Sequence, residues 1–119
     1  MSRSISIWYK VGDTDVDLDT GYHHLLGTQQ ASMKFWSLPQ LRKLGLRELT
    51  ELGHLDPVYF SEAEGLAILE QELVLLEQNR EQIPFDDELK TRWIHNLRFC
   101  LDMLKAETPP GAIPVLMIG

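Results

Sequence analysis

The stretch SISIWYKVGDTDVDLDT, residues 4–20, decides the fold class of this chain. Residues 4–11 are rich in β-branched and aromatic side chains with a partial two-residue alternation, which predicts a strand. Residues 14–20 alternate strictly between aspartates and less polar residues, which predicts a returning strand with one face in water. Gly12 and Asp13 fit the centre of a type II′ hairpin turn, because glycine tolerates positive φ at its first position.

The segment after the hairpin gives weaker signals. Residues 21–36 show no clear period and are predicted to form a loop or irregular turns. Ser37 with Gln40 matches a capping box and predicts a short helix. Gly45 is expected to divide this helical region, and Gly53 to end it.

Two longer helices are predicted in the second half of the chain. Ser61 with Glu64 matches another capping box, and apolar residues then recur at helical spacing until Pro84. Asp86 is placed to cap the last helix, which the sequence Pro-Pro-Gly at residues 109–111 ends.

The last segment, AIPVLMI at residues 112–118, is a short apolar run that predicts a buried strand. The order strand, strand, helices, strand predicts an α+β fold. Its small sheet would consist of the N-terminal hairpin plus the C-terminal strand, packed by three to four helices. With no repeat and no linker, residues 1–119 are predicted to form a single domain.

Composition excludes several classes of function. The formal charge is −7, and the 11 Lys and Arg residues are scattered, which disfavours nucleic acids and anionic membranes as partners. No apolar run approaches the ~20 residues of a membrane span. The single cysteine, Cys100, allows no internal disulfide, so we expect a cytoplasmic location. No Gly-rich phosphate loop is present, and no cofactor is predicted.

Negative charge is concentrated in two segments. Residues 14–20 carry three aspartates, and residues 61–82 carry six glutamates and one arginine, which leaves −5. Such surfaces suit a basic protein partner, because complementary charge steers association. The predicted partner-binding residues are Asp15, Asp17, Asp19, Tyr22, Glu70 and Glu77.

A metal-dependent alternative rests on the row from Asp13 to Asp19 and on the adjacent His23 and His24. Alternating aspartates have the spacing of calcium loops, whose oxygen ligands converge on the ion. However, Leu18 stands where that loop needs glycine, and His24 where it needs a bidentate glutamate. The chain also lacks the paired spacings of zinc sites. No metal site is therefore predicted.

Glu72 is the candidate for a perturbed acid. On a helical wheel it falls between Ile68 and Leu76, inside the apolar arc of the central helix. A carboxylate in that position needs a partner or a proton. It is either one half of a structural ion pair or an acid at a cleft.

These observations favour a non-enzymatic, protein-binding domain, for example an immunity-type or antitoxin-type inhibitor of a basic protein. The first alternative is a metal-dependent hydrolase-like enzyme that uses His23, His24 and the Asp13–Asp19 row. The second is a structural or regulatory subunit whose C-terminal strand pairs with another copy.

Overall fold

The computed structural model describes residues 2–119 and has the predicted α+β architecture. The sheet has five antiparallel strands instead of the predicted three, and it is packed by four α-helices. Two 3₁₀ helices, Leu49–Gly53 and Arg80–Gln82, lie in the connections. The elements are β1 (Ser2–Val11), β2 (Thr14–Leu18), β3 (Leu25–Thr28), α1 (Gln29–Trp36), α2 (Pro39–Leu44), β4 (Val58–Ser61), α3 (Glu62–Gln78), α4 (Asp87–Glu107) and β5 (Ile113–Ile118).

The N-terminal hairpin forms as predicted. Val11 of β1 pairs with Thr14 of β2, so Gly12 and Asp13 are the two turn residues. Gly12 has a φ of 60°, and among the non-glycine residues of 2–119 only Glu62 has a positive φ. Positive φ at the first turn position and negative φ at the second is the pattern of a type II′ turn.

The strands follow the order β2-β1-β5-β4, and β3 also pairs with β1. Ser4 exchanges two backbone hydrogen bonds with Gly119, just beyond β5, and it is also the Cα partner of Leu25 in β3. Since β5 occupies one edge of β1, β2 and β3 lie end to end along the other edge. The C-terminal strand β5 is antiparallel to β1 and to β4 and lies between them.

A single hydrophobic cluster fills the space between the sheet and the helices. Helices α3 and α4 contribute long apolar rows, and Phe35 and Trp36 anchor α1 in the same cluster. Within residues 2–119, no helix has the length and apolarity needed to cross a membrane. The sheet contributes Ile5, Ile7, Val58, Phe60, Leu116 and Ile118 to the cluster.

The prediction of a loop over residues 21–36 was wrong. This segment contains β3 and α1, and Thr28 between them caps the helix by accepting a hydrogen bond at Oγ1 from the Ala31 amide, at 3.1 Å. The strand β4 was not predicted either. The central helix α3 ends at Gln78, before the predicted stop at Pro84.

The predicted caps have mixed outcomes. Asp86 caps α4 as expected, accepting from the Leu89 amide at 2.9 Å. Ser61 is the N-cap residue of α3, but its hydroxyl makes no capping hydrogen bond. Ser37 does not start α2. It follows the end of α1, and its hydroxyl donates to the Gly53 carbonyl at 3.1 Å.

Candidate functional site

The two faces of the sheet differ in what covers them. On β1, Arg3, Ile5 and Ile7 are buried on the helix side, whereas Ser6 and Trp8 are only half-buried. Successive side chains of a strand point to opposite sides, so Ser6 and Trp8 lie on the side away from the helices. Trp8 does not pack against the hydrophobic cluster. We call this side the open face.

An apolar strip crosses the open face from strand to strand. Trp8 lies opposite Val115 in the β1–β5 pairing, and Tyr59 lies opposite Met117 in the β4–β5 pairing. Directly paired residues present their side chains on the same face. Tyr59 is 56% exposed, and the other three are half-buried without joining the core. The strip is therefore available for contact with another molecule.

The acidic row, Asp15, Asp17 and Asp19, borders this strip. Asp17 lies opposite Trp8 and Asp15 opposite Lys10, which places both aspartates on the open face. All three aspartates are exposed. Within residues 2–119, none of them reaches a Lys, Arg or His at salt-bridge distance. The row therefore keeps its negative charge facing solvent.

The turn over residues 19–24 is held by hydrogen bonds of its own. Asp19 Oδ1 accepts from the Gly21 amide at 2.8 Å, and His24 Nδ1 lies 2.7 Å from the Gly21 carbonyl oxygen. Gly21 has a φ of 62°, which favours glycine. Tyr22, at the tip, is 88% exposed. The predicted contact residue Tyr22 is thus presented on an ordered turn.

This turn closes a cavity of about 390 Å³, the junction cavity, where β2 ends and β3 begins along β1. The Ile5 amide donates to the His24 carbonyl at 2.7 Å, which ties β1 to the end of the turn where both residues line the cavity. The cavity brings together three residues that the sequence had singled out, Asp17, Asp19 and His24. Its lining is Ser4, Ile5, Ser6, Ile7, Asp17, Leu18, Asp19, Thr20, Gly21 and His24.

The two adjacent histidines contact different parts of the protein. His23 stacks on Phe99 of α4, with ring centroids 3.8 Å apart, and its carbonyl accepts from Cys100 Sγ at 3.3 Å. Burial raises the pKa of the Cys100 thiol to about 12. His24 instead lines the junction cavity. In the described chain, no three His, Cys, Asp or Glu side chains are grouped closely enough to hold a metal ion.

Glu72 is buried and bound by backbone amides. It is 6% exposed; its Oε2 accepts from the amides of Arg47 and Glu48 at 3.1 and 2.9 Å, and its Oε1 accepts from Leu49 at 2.9 Å. These amides begin the 3₁₀ helix Leu49–Gly53. The predicted need for a partner is met by backbone N–H groups and not by an arginine side chain.

Glu70 and Glu77 are held by α4. Arg98 donates to Glu70 at 2.8 and 2.7 Å and to Glu77 at 3.0 and 2.7 Å, and it also reaches Asp102. Lys105 pairs with Glu70 from about two turns further along α4. Hydrogen bonds from Arg98 and then Lys105 lower the pKa of Glu70 from 4.5 to about 2. These two predicted contact residues already have partners inside the protein.

A larger cleft, of about 580 Å³, lies between α3 and the start of β5. Its walls are mainly apolar, with Leu66 and Pro114 among them. Two of its polar groups, Glu70 and Lys105, are paired with each other. The cleft therefore offers a ligand fewer free polar groups than the junction cavity does.

No protein-family model, curated protein or solved structure matches this chain. The geometry of the open face is therefore the basis for any functional assignment.

Sequence reasoning missed the apolar half of this surface. Trp8 alternates with the core residues Ile5 and Ile7 in a pattern visible in the sequence, and that signal could have placed it on the open face. Tyr59 could not be placed because β4 was not recognised. Thr20 was read only as a strand residue, yet it lines the junction cavity.

Proposed function

We propose that this protein is a non-enzymatic binding domain whose open face contacts a basic protein partner. One observation carries the proposal: the half-exposed strip of Trp8, Val115, Met117 and Tyr59 lies beside an acidic row that has no ion-pair partner among residues 2–119. Exposed apolar patches rimmed by polar residues mark interaction sites.

The two parts of the surface supply different properties. Tyr and Trp are enriched among residues that dominate binding energy, because they bury a large area with few rotatable bonds. The acidic row attracts a basic surface and raises the association rate. A partner with an apolar centre flanked by Lys and Arg would match both parts.

An inhibitor of the immunity or antitoxin type is the concrete form of this proposal. Such a protein needs a stable scaffold and a complementary surface, with no reacting groups of its own. We place it in the cytoplasm, where a single unpaired cysteine such as Cys100 is stable in the reduced form.

The alternatives find less support in the geometry. A hydrolase that uses both His23 and His24 would need the two rings in one site, but they contact different parts of the protein. A subunit that pairs through β5 would need a free strand edge, and β1 and β4 occupy both edges of β5.

The proposal is tested by affinity capture with matched surface variants. Tyr59→Ser and Trp8→Ser remove the strip, and Ile68→Ser removes an exposed apolar side chain, 41% exposed, from α3 as the control. Captures are compared at about 0.05 M and about 0.5 M salt, because screening weakens exposed charge pairs. Circular dichroism confirms that each variant is folded.

We expect one stoichiometric basic protein, released at high salt, retained by Ile68→Ser and lost by Tyr59→Ser or Trp8→Ser. Capture of no protein, or of a partner whose retention is unchanged in both strip variants, would overturn the proposal. An acidic partner would also overturn it, because the charge complementarity would be absent.

A further inference from the structure

The junction cavity has the composition of a cation site within the open face. The residues that line it include two aspartates, Asp17 and Asp19, and three hydroxyl-bearing residues, Ser4, Ser6 and Thr20. No Lys or Arg lines it. A cationic group entering the cavity would therefore meet two carboxylates and hydroxyls that can act as acceptors, without a lining Lys or Arg to repel it.

Thr20 gives independent support for a ligand. It is 8% exposed, yet its hydroxyl has no hydrogen-bond partner in the described chain, where the hydrogen bonds to Thr20 use its carbonyl oxygen instead. Its oxygen is not among the fully inaccessible unpaired atoms, so it still contacts solvent. A nearly buried hydroxyl that lines a cavity and lacks a partner is placed to serve a bound group.

His24 adds a further acceptor. Its Nδ1 lies 2.7 Å from the Gly21 carbonyl oxygen, a contact in which Nδ1 must carry the proton. In the neutral ring the lone pair is then on Nε2. The hydrogen bond also fixes the orientation of the ring, as in sites where one histidine nitrogen is held so that the other can act.

We propose that the junction cavity receives the guanidinium group of an arginine from the basic partner; this inference rests on the proposed function. A guanidinium presents five N–H donors in a planar fork, which matches several convergent acceptors better than the compact ammonium of lysine does. The two aspartates supply the charge, and the hydroxyls and His24 take the remaining donors.

The direct test uses small probes on the full chain. N-acetylarginine amide is titrated at millimolar concentrations while backbone amide shifts are recorded by NMR. N-acetylcitrulline amide, which has the same shape without the charge, and N-acetyllysine amide serve as comparisons. We expect saturable shifts of Ser4, Ser6, Gly21 and His24 with arginine, about tenfold weaker binding with lysine, and none with citrulline.

Matched variants locate the site. Thr20→Val keeps the shape but removes the hydroxyl, and Asp17→Asn removes one charge from the cavity. Asp15→Asn removes the same charge from the same strand outside the cavity. We expect Thr20→Val and Asp17→Asn each to weaken arginine binding about tenfold and Asp15→Asn to leave it within about twofold.

Several outcomes would overturn the inference. Equal binding of citrulline would remove the role of charge, and equal loss with Asp15→Asn would reduce the effect to net charge. Displacement of arginine by millimolar calcium, with no loss in Thr20→Val, would indicate a simple cation site. If Tyr59→Ser abolishes capture of the partner but Thr20→Val and Asp17→Asn do not, the proposed function stands and the arginine pocket is wrong.

Discussion

Two acidic rows that look alike in the sequence have different surroundings in the fold. On α3, Glu70 and Glu77 are held by Arg98, and Glu72 is bound by three backbone amides. Along β2 and just after it, the acidic row has no ion-pair partner within residues 2–119. A helix that packs against α4 meets cations there, whereas an edge strand faces mainly solvent. Acidic residues on α3 therefore contribute to stability, and those on β2 remain available to a partner.

The largest effect on stability is expected from Glu72→Gln. The amides of Arg47, Glu48 and Leu49 now donate to two carboxylate oxygens of Glu72. A glutamine would offer them one oxygen, and its NH₂ group would face at least one N–H donor. An unsatisfied donor at a buried site is costly. We expect the free energy of unfolding, measured by urea denaturation, to fall by about 2 to 3 kcal/mol.

Glu64→Gln is the control for this substitution, because Glu64 is exposed in the first turn of the same helix. Its stability should change by no more than about 0.5 kcal/mol. An unchanged unfolding midpoint for Glu72→Gln, together with lost binding to a partner, would contradict the structural role and revive the interpretation as a perturbed acid.

A smaller effect is expected from Arg98→Gln, which removes the centre of the ion-pair network on α3 and α4. Arg98 contacts Glu70, Glu77 and Asp102 and is 25% exposed, so we expect a loss of about 1 to 2 kcal/mol at neutral pH. Arg92→Gln, which removes a single exposed pair on the same helix, should cost no more than about 0.5 kcal/mol.

The pH dependence of the Arg98→Gln effect has a definite sign. The pKa of Glu70 is lowered from 4.5 to about 2 in the folded state, so its contribution is complete above the unfolded value and is lost as the pH falls through the folded value. The stability difference between wild type and Arg98→Gln should be constant above about pH 6 and shrink between about 4.5 and 2. A difference that does not depend on pH would contradict the ion-pair assignment.

The sequence was sufficient for the elements whose signals are local. The alternation of residues 14–20 and the glycine at position 12 predicted the hairpin, and Asp86 predicted the start of α4, because each signal acts within a few residues. β3 and β4 are four residues each and are defined by long-range pairing with β1 and β5. A strand that short carries too few alternations for its period to be recognised.

The candidate site shows the same division. The acidic row was predicted because alternation puts its aspartates on one side of a strand. The junction cavity was not predicted, since it exists only where β2 and β3 meet along β1 and since its lining residues, such as Ser4 and Thr20, are distant in the sequence. Glu72 was predicted to be buried, but the amides that bind it come from a connection with no helical period of its own.

The smallest effect on stability is expected when the acidic row itself is neutralised, by replacing its three aspartates with asparagine. Asp19→Asn keeps an oxygen that can accept from Gly21, and the described part of the chain loses no ion pair. Relief of repulsion between like charges should leave the free energy of unfolding equal or higher by up to about 0.5 kcal/mol. A drop of more than about 1 kcal/mol would show that the row, like the glutamates of α3, has a structural role.

The same variant should change association far more than stability. We expect the association rate constant of this variant with the captured partner to fall about tenfold at low salt, because electrostatic steering depends on where the charge lies. We also expect the rate to depend less on salt concentration than it does for the wild type. Replacing Glu62, Glu64 and Glu81 with glutamine removes the same three charges from exposed positions outside the sheet. If that control slows association equally, net charge explains the steering, and the acidic row is no different from the rest of the surface. If only the variant of the acidic row slows association, the aspartates without an ion-pair partner among residues 2–119 are the ones that meet the external partner.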